Sequence, residues 1–171
     1  MKTIRNICFA LAVCIVASGC AHLHGSSAKN RAQEENEIHQ WLEQWQKACE
    51  AHDFKTVMAL YSPEVIAYDV GPPLQVKGAE AYGKGCQEFF NMLPQVKVEF
   101  RDVNIIAGRK TAVVYGFQRL DGTTKDGKKM DVWFRFTTIL RKSKGQWLDV
   151  HDHVSVPVDM GSGKALMDLK P

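Results

Sequence analysis

The hydrophobic positions of this chain follow two different periods, one in each half. Between Ile38 and Cys49 the apolar residues Ile38, Trp41, Leu42, Trp45, Ala48 and Cys49 recur at spacings of three and four, while Glu37, Gln40, Glu43, Gln44 and Lys47 fall on the other side. That spacing predicts an amphipathic helix with one face built for burial. His52-Asp53 interrupts it, and Asp53 is suited to cap a second, shorter helix carrying Phe54, Val57, Met58 and Leu60. Ser62-Pro63 is expected to stop that helix. Val65 to Val70 then reads as a short apolar strand ending at Gly71-Pro72-Pro73, a turn or an extended loop. A third helix is predicted from about Gly78 to Met92, with Tyr82, Cys86, Phe89 and Phe90 at helical spacing.

After Pro94 the period changes to two and stays there. Val96, Val98 and Phe100 alternate with polar neighbours, and Gly108-Arg109-Lys110 turns the chain into a strand from Thr111 to Leu120. Gly122, Asp126 and Gly127 mark a hairpin between Asp121 and Lys129, and Ser143-Lys144-Gly145 separates a strand over Met130–Lys142 from a last one over Gln146–Val158. Helices first and a meander afterwards predict an α+β domain, with the helices covering one face of a curved antiparallel sheet.

The last strand carries the candidate chemistry. Trp147, Asp149, His151, His153 and Ser155 occupy its odd positions, and the even positions are nearly all Leu or Val. Successive side chains of a strand point to opposite faces, so the alternation predicts a polar, titratable row on one side: a pocket wall, or a half-exposed strand whose histidines face water. Val150, Val154 and Val156, with Phe134 and Phe136, form either an apolar outer face suited to a dimer or the core itself.

The N-terminus reads as an address. Lys2 and Arg5 precede an apolar stretch from Ile7 to Val16, too short to span a bilayer, which takes about 20 residues. Ala17-Ser18-Gly19-Cys20 resembles the lipobox of bacterial lipoproteins, which implies cleavage after residue 19 and lipid on Cys20. With Ala21 rather than Asp next, this implies the cell envelope and, in a Gram-negative host, the periplasmic face of the outer membrane. Residues 20–33 are short and polar and read as a flexible tether, 34–160 as the domain and 161–171 as an extension that packs Leu166 and Leu169 back or stays loose. Without Lys2 and Arg5 the basic residues fall from 22 to 20 against 19 acids, and with no basic cluster a nucleic-acid partner is not expected. Cys49 and Cys86 remain in the domain, either bridged or as two separate thiols.

Three segments carry a family resemblance: Trp45 through Tyr61; Tyr68-Asp69-Val70-Gly71-Pro72-Pro73 with Gly78; and the closing Trp147, His151, His153 and Ser155. Together they resemble the NTF2-like superfamily, in its SnoaL-like and ketosteroid-isomerase-like branch, over roughly Glu34 to Asp159. The resemblance implies a cone with a pocket between helices and sheet. It places Asp69 where ketosteroid isomerases keep a general base, a fixed distance ahead of Gly78. The oxyanion donors of those enzymes land here on Trp45 and Thr137, neither of which reproduces them, and a missing donor costs about a hundredfold or more in rate.

Two chemistries follow. Asp69 with His151 or His153 makes an acid–base pair for isomerisation, dehydration or cyclisation, with Trp45, Tyr68, Trp133, Thr137 and Asp149 as further pocket residues. His151 and His153 at i and i+2 make a thin metal signature with Asp69 or Asp149 as third ligand, so no metal and no cofactor is expected. The other class is a binding protein or dimeric scaffold, since this fold does not fix function. The expected partners are a small organic molecule, the membrane through the lipid and a second copy of the chain.

Overall fold

The computed structural model describes residues 19–171, with side chains from Lys29 onward. The expected export signal, Gly19 apart, and the side chain of Cys20 lie outside them. Helix α1 (Gly19–Glu50) buries Ile38, Trp41, Leu42, Ala48 and Cys49, the face that the spacing predicts. The segment expected to be a flexible tether continues this helix instead. It holds no proline to break the ladder, and it extends a helix already held by the packed turns that start at Ile38.

Helix α2 (Phe54–Ala59) is capped as expected: Asp53 accepts from the Thr56 amide at 3.1 Å and from its hydroxyl at 2.6 Å. Strand β1 (Tyr61–Tyr68) begins earlier than predicted, with Ser62-Pro63 inside it. The proline is tolerated because the pairing register of β1 shifts between Tyr61 and Ile66, where no ladder bond is lost. A two-residue strand β2 (Val76–Lys77) leads through Gly78, at φ +84°, into helix α3 (Ala79–Met92).

Four long strands follow: β3 (Gln95–Ala107), β4 (Thr111–Thr123), β5 (Lys129–Ser143) and β6 (Gln146–Ser155). The sheet order is β2-β1-β6-β5-β4-β3. The meander is antiparallel throughout, but β1 lies parallel to β6, which corrects the expectation of a wholly antiparallel sheet. Parallel neighbours need a long crossover, and here α3 with the strands β3 to β5 supplies it.

Two irregularities bend the sheet around the helices. In β3 the register shifts between Arg101 and Asn104, with Asp102 at φ +50°, opposite Gly116 of β4. A Cβ on Gly116 would stand 2.9 Å from the Asp102 carbonyl oxygen, so only glycine lets the strands approach this closely. In β6 the register shifts at Val150: Leu140 pairs with Asp149 and Ile139 with His151. The concave face carries Val114, Phe136 and Leu140, buried in one cluster with residues of α1 and α2, and Phe134, buried in a second cluster with Val156. Phe134, Phe136 and Val156 are therefore core residues, and the apolar dimer face sketched from them does not exist. The tail is not loose: Val158 bridges Ala165, the Leu166 amide donates to the Pro157 carbonyl at 2.9 Å, and Arg101 reaches the Pro171 carbonyl at 2.9 Å.

Candidate functional site

A cavity of about 380 Å³ lies between the three helices and the concave face of the sheet. Each wall has a local cause. On α1, Trp45 and Cys49 stand four residues apart and so share one face. On α3 the same spacing lines up Tyr82, Cys86 and Phe90, with Phe89 beside them. The sheet contributes Tyr61 from β1, Gln118 and Leu120 from β4, Met130 and Phe134 from β5, and Asp152 and Val154 from β6. The surface is mostly apolar and aromatic, and the polar groups converge on one side.

That side is a hydrogen-bonded chain. Trp45 Nε1 donates to the Tyr61 hydroxyl at 2.9 Å, the Tyr61 and Tyr82 hydroxyls lie 3.0 Å apart, and Tyr82 donates to Asp152 Oδ2 over a long 3.4 Å. Thr138 donates to Asp152 Oδ1 at 3.1 Å. Burial pushes the Asp152 carboxyl up to about 6, helped by the Asp69 charge and opposed by the Thr138 and Tyr82 bonds and by His151. Burial also raises both phenols well above the usual tyrosine range, so they stay protonated donors. Asp152 therefore changes charge near neutral pH inside an apolar cavity, which is what a group moving a proton to or from carbon or oxygen needs.

The predicted site residues divide sharply. Trp45 and Asp69 line the cavity. Asp69 sits just beyond β1 at the mouth, exposed, with Oδ1 accepting from the Val70 amide at 2.7 Å. His151 and His153 do not face the cavity. The unpaired Val150 reverses the sides of β6, so Trp147 and Asp149 point inward before it and Asp152 and Val154 after it. His151 Nδ1 lies 2.8 Å from the Ile66 carbonyl oxygen on the outer face, and the Tyr68 ring stands edge-on to His151 and His153 at 4.8 and 6.0 Å. Thr137 pairs with His153 on that same face, and Trp133 lies there under the Arg101 guanidinium, 5.9 Å from its ring centre. The pocket-wall expectation for Tyr68, Trp133, Thr137 and the two histidines is thus corrected, and the chelate of both imidazoles with Asp149 does not assemble, because they occupy opposite faces.

Asp149 does face inward, buried to 1 % exposure, but behind the Trp45–Tyr61 pair rather than on the main cavity wall. Cys49 and Cys86 are free thiols on the cavity wall, pushed by burial up to about 12 and about 11. Sequence reasoning missed Asp152, Tyr61, Tyr82, Gln118 and Thr138. The one signal was Asp152 itself, a carboxylate among the aliphatic even positions of β6.

The chain belongs to the SnoaL-like domain family, whose model matches residues 38–159. Among solved structures it is similar to an NTF2-like protein of unknown function from Pseudomonas putida KT2440, at 31% identity over 82% of this chain and 97% of that one, with a TM-score of 0.72. It shares the fold of an NTF2-like family protein from Streptomyces avermitilis (15% identity, 75% of this chain and 99% of that one, TM-score 0.68). It shares it as well with a protein from Novosphingobium aromaticivorans (12% identity, 74% and 86%, TM-score 0.69). No curated protein matches the chain.

Proposed function

We propose that the cavity binds a small, mostly apolar organic molecule with one hydroxyl or carbonyl group, and that Asp152 moves a proton on it in an isomerase- or dehydratase-type reaction. The observation that carries this reading is Asp152 itself: a carboxyl with its proton affinity raised to about 6, on an apolar cavity wall, beside two phenol donors. The Tyr82 hydroxyl, held 3.4 Å from Asp152 in the free protein, is placed to turn its one proton from that carboxyl to an oxygen of the ligand, with Tyr61 and Trp45 behind it. Asp69 at the mouth is the second carboxylate within influence of Asp152. Two of the structural neighbours named above are described as candidate dehydratases, the one from Novosphingobium aromaticivorans for scytalone, which is in keeping with this class of reaction.

The test is proton–deuterium exchange next to the carbonyl of small cyclic ketones in heavy water, followed by NMR. The wild type is expected to accelerate exchange for at least one ketone that fits about 380 Å³, and Asp152→Asn to lose about a hundredfold of that rate. Equal rates in the two proteins sink the acid–base role and leave a binding protein.

The lipoprotein reading is likewise a proposal, resting on Lys2, Arg5, the apolar run and Ala17-Ser18-Gly19-Cys20. Cells fed tritiated palmitate are expected to label the wild type in the membrane fraction, whereas Cys20→Ser carries no label and leaves that fraction. A homodimer through the outer face, where Ile139 and Tyr115 flank Thr137 and the histidines, is proposed as well.

A further inference from the structure

Behind Trp45 and Tyr61 lies a second cavity of about 20 Å³, walled by Trp41, Gln118, Thr138, Asp149 and Asp152 among others. Three polar atoms buried around it make no hydrogen bond of good geometry within the protein, Trp41 Nε1 and both carboxyl oxygens of Asp149, the His151 amide alone approaching that carboxyl. Trp41 is 7 % exposed and Asp149 1 %. Each unsatisfied buried group costs about 1–3 kcal/mol, so a fold that keeps three at one spot has something there to satisfy them. One water needs ~10–15 Å³ of such space and two to four polar partners. The space and the partners are both present.

We propose that this cavity is a one-water site joining Trp41, Asp149 and Asp152, and that Asp149 is a positioning residue that holds the Asp152 carboxylate through that water. The inference deepens the acid–base reading of Asp152 and rests on it for its functional meaning.

The groups facing the site fix the direction of the bonds. Trp41 Nε1 is a donor only. Burial first, and then the neighbouring Asp152 charge, raises the proton affinity of Asp149 well above the usual carboxylate range against the opposing His151 amide, so its O–H donates to the water. The water in turn donates to Asp152, which already accepts from Thr138 of β5 and Tyr82 of α3. Tyr61 of β1 and Gln118 of β4 complete the wall, and Asp69 at the mouth and His151 across the strand are the remaining charges that act on Asp152. A third donor stabilises the ionised form of Asp152, so removing it raises the proton affinity of that carboxyl.

Carbon-detected NMR of the aspartate carboxyls in the full chain, titrated without ligand, reads this directly. In the wild type Asp149 is expected to keep its proton through the range in which Asp152 titrates. Asp149→Leu is expected to move the Asp152 midpoint up by roughly half a unit or more, about threefold in proton affinity. Asp149→Asn, whose amide still donates to the water, is expected to restore it. An unmoved midpoint in folded Asp149→Leu, or an ionised Asp149 at neutral pH, overturns the proposal. A high-resolution crystal structure of the wild type is a second reading that needs no variant: one water within hydrogen-bond reach of Trp41 Nε1 and Asp149 supports the site, and a dry cavity ends it. Failure of the acid–base function shows elsewhere, as unchanged proton exchange in Asp152→Asn, and leaves the titration result standing.

Discussion

Asp152 shows how a single side chain ties stability to pH. Its carboxyl is raised from 3.8 to about 6 in the folded protein, so the folded state holds that proton more tightly than the unfolded chain. The stability this group contributes is therefore fully present below 3.8 and is lost as pH rises through about 6. Asp131 works the other way: Arg119 at 2.7 Å holds it down at about 2, so its contribution is present above 3.8 and is lost only as pH falls through 2, outside the Asp152 window. Asp152→Asn removes the ionisation, and it is expected to gain on the wild type across that window by about 1–3 kcal/mol and then level off. Urea unfolding at a series of pH values measures the difference, and parallel curves for the two proteins contradict it.

At the scale of the element, β6 turns on one residue. The unpaired Val150 sends Asp152 and Val154 to the cavity and His151 and His153 to the outside. Val154→Asp then puts a charge against the core and is expected to cost about 1–3 kcal/mol, whereas His153→Asp on the outer face stays within about 0.5 kcal/mol. Denaturant midpoints of the two variants decide it, and the opposite ranking would place the histidines inside. Much else at this scale was legible in the sequence. The burial face of α1, the Asp53 cap and the turns at Gly108, Gly127 and Gly145 follow from spacing and from residues whose side chains or backbone act within a few positions. The alternation of β6 was legible too, but not the point where it reverses. A bulge is a relation between two strands, and Val150 carries no mark of it.

The whole molecule closes its cavity with distant pieces. Met167 is the one lining residue contributed from beyond β6, and the bridge of Val158 to Ala165 and the Arg101 bond to Pro171 hold its segment in place. Met167→Ala is expected to leave the fold intact and weaken binding of an apolar fluorescent dye in the cavity several-fold, on the order of 1 kcal/mol. Unchanged affinity would mean that the tail is no part of the wall.

The sequence by itself determined the α+β class, the helix faces and the run of hairpin-linked strands after Pro94, because each depends on periodicity and on turn residues acting locally. The tertiary structure alone decided the site. Tyr61 meets Tyr82 across 21 positions and Tyr82 meets Asp152 across 70, and only the bent sheet and the bulge bring these hydroxyls and the carboxyl to one wall. Groups so far apart along the chain share a cavity through packing and strand register, and neither is written in any one stretch of residues.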